Sequence, residues 1–189
     1  MYYQMKITLR GIKPPIWRRA LIPSQFTLFE LHGVIQIAMG WQDCHLHDFT
    51  INSRRYALPS DEDFDEPIDE ERTRVGEVVR AGSKFTYQYD FGDGWEHAIA
   101  VEKIADVEID TPLCVGGARA CPPEDSGGPW GYMEKLEALA NPNDDEENGL
   151  LREWMGDFDL ERFDKDAVNR ELKRAFKPAG SKKKRLAGH

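Results

Sequence analysis

Cysteine is scarce in this chain, hydrophobic runs are short, and basic residues are outnumbered. Three cysteines, Cys44, Cys114 and Cys121, among 189 residues are an odd number and too few for a disulfide framework. No apolar stretch approaches the ~18 residues of a membrane-spanning helix, and there is no lipidation signature. The opening MYYQMKITLR alternates like a strand and does not resemble a signal peptide. A reduced, cytoplasmic setting with no membrane partner is therefore expected. With 25 Lys and Arg against 34 Asp and Glu, the formal net charge is -9, which disfavours a DNA-coating or anionic-membrane surface. Hydrophobic residues at 40% and aromatics at 11% are nevertheless globular values. That is enough apolar material to bury a core without staples.

Tyr3, Met5, Ile7 and Leu9 alternate with polar neighbours and predict a half-buried first strand. A second strand is expected over Trp17 to Ile22. Thr27 with Glu30 has the spacing of a capping box, Leu28, Leu31, Ile35 and Met39 form one stripe, and Gly40 is a natural stop; together they predict a helix over 28–39. Pro59 to Arg74 is strongly acidic with little apolar periodicity, and is read as a solvated loop. Thr111 to Gly131, rich in Pro and Gly, is read as a shaped loop. Three helices are expected beyond it, followed by a basic tail. The expected class is α+β: a mixed, largely antiparallel sheet, β-grasp-like in its N-terminal half, with a helical C-terminal part. The expected organisation is a domain over 1–140, a helical extension over 141–178 packed on it, and a disordered tail over 179–189.

The most informative stretch is FTYQYDFGDGWEH, residues 85–97. Phe85, Tyr87, Tyr89 and Phe91 share one parity, Trp95, His97, Ile99 and Val101 share another, and a Gly-Asp-Gly bend lies between them. This is a β-hairpin with a histidine among its core-facing positions. His45 and His47 sit two residues apart in an alternating run with Phe49 and Ile51, so as a strand they would share a face. Neutral imidazoles at that spacing, joined by His97 and by Asp90 or Asp93, could hold a divalent transition metal such as zinc, manganese or iron. The same histidines could instead form a hydrogen-bonded cluster at the edge of the core, with Trp41 and Trp95 beside them. Asp93, in its Gly-Asp-Gly bend, could simply bond backbone amides. Glu124 and Asp125 are either a general acid and base or a cap for a turn or for the helix expected to start near Pro129. His32, on the amphipathic helix, is read as a satisfied structural side chain.

Several spaced landmarks carry a family resemblance. They are PPIWRR over 14–19, Leu31-His32, Ile35-Gln36, Ala38 to Trp41, His45-Leu46-His47, Tyr87 with the YDFGD of 89–93, and Trp95 with His97. Cys114, the PPED of 122–125, Gly127-Gly128 and Gly131-Tyr132 complete the set. Over about residues 5–140 the chain resembles the plasmid pRiA open-reading-frame-three family, also labelled the resolvase-like passenger of insertion elements. The resemblance implies an α+β protein associated with plasmids and mobile elements. Ser126 departs from the family pattern, in which many relatives carry cysteine there. A resolvase needs an activated serine or tyrosine amid arginines, and neither arrangement is visible; Arg18 and Arg19 point to opposite faces and are read as solvated. Cys114 and Cys121 are too far apart for a zinc knuckle and are read as packing residues.

The functional expectation is a non-enzymatic accessory domain that binds a small ligand or a macromolecule. Its surface is formed by the His45 strand, the Asp90 to His97 hairpin and the Cys114 to Asp125 loop, with Trp41, Asp90, Trp95, Glu124 and Asp125 as ligand contacts. The alternative is a metal-dependent hydrolase of phosphate esters or nucleic acid with metal ligands His45, His47, Asp93 and His97. Weak, salt-sensitive DNA contact is a further expectation for the KKKR of residues 182–185.

Overall fold

Alternation of apolar and polar side chains builds the first strand, β1 (Tyr2–Leu9), whose Tyr3, Met5, Ile7 and Leu9 are buried. The computed structural model describes residues 1–60, 66–107, 109–141 and 146–177. After β1 come β2 (Trp17–Pro23), helix α1 (Leu28–Met39), β3 (His47–Ile51), β4 (Arg54–Ala57), β5 (Ile68–Asp69) and the single turn α2 (Val75–Val78). The hairpin strands β6 (Lys84–Tyr89) and β7 (Trp95–Ala105), β8 (Leu113–Ala118), α3 (Gly128–Ala140), α4 (Glu146–Met155) and α5 (Lys165–Ala175) follow. The strands form one sheet in the order β5-β4-β3-β6-β7-β1-β2-β8. Its pairs are antiparallel except for the parallel contact of β4 with β5. This is the mixed, largely antiparallel α+β arrangement that the sequence predicts, with helices concentrated towards the C-terminus.

Helix α1 occupies the span expected of it. Thr27 Oγ1 accepts from the Glu30 amide at 3.1 Å and Glu30 Oε2 accepts from the Thr27 amide at 2.8 Å, while Gly40 ends the helix at φ 101°. Its C-terminal end receives a cation that the sequence reading placed in solvent. Arg18 is 2% exposed, and its Nε donates to Ala38 O at 2.7 Å and its Nη1 to Trp17 O and Ala118 O. A guanidinium at a helix C-terminus satisfies orphan carbonyls and the negative end of the dipole. Arg19 does point the other way, to the surface, where it pairs with Glu102.

Two loop expectations are corrected. Residues 61–65 of the acidic segment lie outside the described residues, but its remainder is not a solvated loop. Ile68–Asp69 adds the edge strand, and the Thr73 and Glu70 carbonyls accept from the amides of Leu28 and Phe29 at 2.9 and 3.3 Å. The segment is ordered because it satisfies the first-turn donors of α1. Within the Pro/Gly-rich stretch, Leu113–Ala118 pairs with β2 as a strand. Its outer edge is covered by Asn169 of α5, whose side chain accepts from the Cys114 amide and donates to the Cys114 carbonyl. At Gly117 a Cβ would stand 2.6 Å from the Phe163 ring, which packs against the bare backbone. The cysteines are unpaired, with Cys114 buried as a packing residue. No helix among the described residues is long and apolar enough to cross a membrane. The basic run 182–185 lies outside the described residues.

Candidate metal centre

The hairpin reverses direction through Asp90 to Gly94, between the paired ends Tyr89 and Trp95. Asp90 takes the left-handed conformation at φ 55° and folds its carboxylate back on the bend, where Oδ1 accepts from the Gly92 and Asp93 amides at 2.9 and 3.2 Å. Its own amide donates to Leu46 O at 2.9 Å, which clamps the hairpin tip to the segment carrying His45. Asp90 Oδ2 is thereby aimed at the imidazole, 3.6 Å from His45 Nε2.

The PPED loop completes the pocket. Glu124 Oε1 accepts from the Gln42 amide at 2.8 Å and from the Tyr89 hydroxyl at 3.1 Å. Its Oε2 is buried without a hydrogen-bond partner among the described residues and lies 3.9 Å from His45 Nε2. Asp125, at φ 56°, brings Oδ1 to 3.2 Å from the same nitrogen. Yet His45 Nε2 is also buried with no hydrogen bond of acceptable geometry. Cys44 stands at the margin, with its amide donating to Tyr89 Oη at 3.1 Å. Burial, first of all, holds the Tyr89 phenol well above its ordinary range, so it remains a neutral donor to Glu124. Asp90 and Glu124 therefore divide their labour alike: one carboxylate oxygen is fixed by the fold and the other is offered to the pocket.

The structure separates residues that the sequence reading put together. Among the described residues, ligand-type atoms lie within 4.8 Å of one another in three sets: His32, Asp43 and His47; Cys44, His45 and Glu124; and His45, Asp90 and Asp125. His45 and His47 thus fall in different clusters, and His97 and Asp93 fall in none. Strand β3 starts only at His47, so the two-residue alternation that would place both rings on one face does not reach His45. His97 is fully buried, its Nδ1 3.3 Å from Tyr87 O and its ring edge-on to Trp41. Burial lowers its pKa to about 4, so it is a neutral core residue. Asp93 is a loop anchor: Oδ2 accepts from the Gly127 amide at 3.0 Å. Trp95 is wholly buried and Trp41 nearly so, with ring centroids 6.1 Å apart. Both sit in the core, and Trp41 braces the PPED loop by donating Nε1–H to Pro122 O at 3.0 Å. Ser126 is buried and bonds Pro123 O.

Cys44 and Asp43 carry no site expectation from the sequence and His32 is read there as structural, yet all three join these clusters; Tyr89 and Glu70, equally unexpected, hydrogen-bond Glu124 and His47. Tyr89 had a usable signal, since its parity in the hairpin matches that of Tyr87 and places its ring on the His45 side. Glu70 had none, being one acid among many.

An α+β domain whose sheet end, hairpin bend and PPED loop converge several carboxylates on one imidazole is the class that fold and site define. The chain belongs to the family described as plasmid pRiA4b ORF-3-like protein, whose model matches residues 1–167. It is 41% identical over 169 residues to the "Uncharacterized protein y4hQ" of Sinorhizobium fredii (strain NBRC 101917 / NGR234), covering 88% of this chain and 85% of that one. Its fold is similar to the crystal structure of MM3350, a protein of unknown function from Methanosarcina mazei Go1. That match has a TM-score of 0.79 and 36% identity over 87% of this chain and 96% of the other.

Proposed function

We propose that this protein is a ligand-binding accessory protein whose ligand is a divalent transition-metal cation held by His45, Asp90, Glu124 and Asp125. The observation that carries the reading is the pair of buried atoms without a hydrogen bond among the described residues, His45 Nε2 and Glu124 Oε2, 3.9 Å apart. Buried polar atoms are almost always satisfied, and each orphan costs about 1–3 kcal/mol. Ligands about 2.1 Å from one ion at tetrahedral angles lie roughly 3.4 Å apart, and the separations from His45 Nε2 are 3.2, 3.6 and 3.9 Å; Asp90 and Asp125 form one close set with His45 while Glu124 joins it in another, so Glu124 would have to draw in to share the ion. One imidazole with three carboxylates suits zinc, manganese or iron. The test is the metal content of protein purified without a His tag and titrated with Zn²⁺ after chelator treatment. His45→Ala is expected to lower the bound content by one ion per chain; equal content in the two proteins overturns the reading.

Tyr89→Phe is a subtler check. It removes the hydroxyl that orients Glu124 but keeps the buried ring, and loss of such an outer-shell partner lowers metal affinity roughly 10–100-fold. Isothermal titration with Zn²⁺ reads the change, and an unaltered affinity means that Glu124 is not positioned through Tyr89.

A second reading rests on one observation: the Asp125 side chain is 75% exposed, so the pocket is open on that side. An ion there would have room for a water or a phosphate oxygen and could support hydrolysis. Absence of metal-dependent, His45-dependent turnover of a nitrophenyl phosphodiester removes this second reading and leaves cation binding in place.

A further inference from the structure

A second cluster, which the proposed centre does not use, lies where α1 crosses β3. His32 and His47 stack face to face, with ring centroids 3.5 Å apart and planes 3° from parallel. His32 Nε2 is 2.8 Å from Asp43 Oδ1, and His47 Nε2 is 2.8 Å from Glu70 Oε1. Glu70 is the anomaly. Its side chain is 0% exposed, its Oε2 has no hydrogen-bond partner, and no Lys or Arg pairs with it among the described residues. A carboxylate taken wholly out of water with one oxygen unpaired is costly unless a cation compensates it.

We propose that a second divalent cation of zinc type binds between His32, Asp43, His47 and Glu70. His32, Asp43 and His47 bring ligand atoms within 4.8 Å of one another, and Glu70, held against His47, would swing in as the fourth ligand; two imidazoles and two carboxylates form an ordinary zinc donor set, and their two negative charges match the ion. The outer shell is already built. His32 Nδ1 is 2.8 Å from the Tyr87 hydroxyl, which also accepts from Gln36 Nε2 at 3.0 Å, while Gln36 Oε1 accepts from the Asp43 amide at 2.9 Å. Ligation through Nε2 shifts the His32 proton to Nδ1, where Tyr87 accepts it, the usual arrangement for a metal-bound histidine. Parallel rings cannot aim both lone pairs at one point, so an ion would require the imidazoles to tilt, with Asp43 Oδ1 and Glu70 Oε1 exchanging their ring contacts for the cation.

An entry route exists. His47 lines a cleft of about 280 Å³ with Leu46, Arg55, Leu58 and Phe91, and the Asp43 side chain is 57% exposed. Asp43 and His45 are separated by one residue, so this segment lends a ligand to each centre. The competing arrangement is a proton on His47 that pairs it with Glu70 and needs no metal.

The experiment uses the full, tag-free chain after chelator treatment, titrated with Zn²⁺ alone by calorimetry, with bound metal counted after gel filtration. The wild type is expected to hold two ions per chain, Glu70→Gln one, His45→Ala one, and the double variant none. Because Glu70 is buried, Asp43→Asn supplies a half-exposed substitution compatible with folding, checked by circular dichroism; it is expected to weaken one of the two sites at least tenfold. If the wild type holds one ion that only His45→Ala removes, the second site falls and the first stands. If it holds one that only Glu70→Gln and Asp43→Asn remove, the first falls and the second stands. Two ions retained in both Glu70→Gln and Asp43→Asn overturn the proposal outright.

Discussion

Gly128→Ala is expected to destabilise the protein by about 2–5 kcal/mol and to weaken cation binding at the His45 centre at least roughly tenfold. Two independent costs add. Gly128 has φ +68°, a conformation in which a Cβ costs about 1–2 kcal/mol. The added carbon would also stand 2.3 Å from Asp93 O, and the backbone shift this forces costs typically about 1–3 kcal/mol more. Asp93 cannot retreat cheaply, because its amide is tied to Asp90 Oδ1 and its carboxylate to Gly127. The loop therefore moves, and Glu124 and Asp125 move with it. Urea denaturation and a Zn²⁺ titration on the same preparation read both effects. Gly149→Ala is the control: its Cβ meets nothing within 4 Å, and helix α4 should gain slightly from alanine. Equal stability of Gly128→Ala and wild type would show that the loop does not lean on the hairpin as described.

That contact illustrates what a one-dimensional reading can and cannot reach. The helix over 28–39 was legible to the residue because its signals are local: Thr27 and Glu30 three apart, an apolar stripe, a glycine stop. The hairpin was legible for the same reason, its two strands alternating with period two on either side of the bend. Asp90, Glu124 and Asp125 stood out as acids beside the bend and in the PPED loop, and Asp90 and Asp125 both take left-handed backbone and bring a carboxylate oxygen within 3.6 and 3.2 Å of His45. The pairing of histidines was not legible. Whether His45 belongs to the strand depends on where β3 begins, and element ends are set by tertiary contacts such as the Asp90 amide on Leu46 O. Glu70 was hidden more deeply. Its neighbours Asp69 and Glu71 are ordinary half-exposed and exposed acids, and only the docking of its segment on the first turn of α1 carries this one carboxylate inside.

The histidine that joined neither centre leads to the second large effect, an acid weakening of the fold that is independent of metal. His97 is fully buried between β6 and the Trp41 ring, with Nε2 unpartnered, and burial lowers its pKa to about 4 from the usual 6.5. Tyr87, the titratable side chain in ring contact with it, is itself kept neutral by burial. Because the unfolded chain protonates His97 near pH 6.5 and the folded chain does so only near pH 4, the unfolded state binds the extra proton in between. The contribution of neutral His97 is complete above about pH 7, declines as pH falls through 6.5, and is exhausted near 4. At about 1.36 kcal/mol per pH unit this amounts to about 3 kcal/mol. Many carboxylates titrate over the same range, so the effect is isolated by comparison with His97→Leu, which keeps an apolar side chain of similar size in the core. In chelator-containing buffer, the stability advantage of wild type over His97→Leu, read from urea midpoints, should shrink by about 3 kcal/mol between pH 7 and pH 4. Parallel pH profiles for the two proteins would mean that His97 is already protonated, or already hydrated, inside the fold.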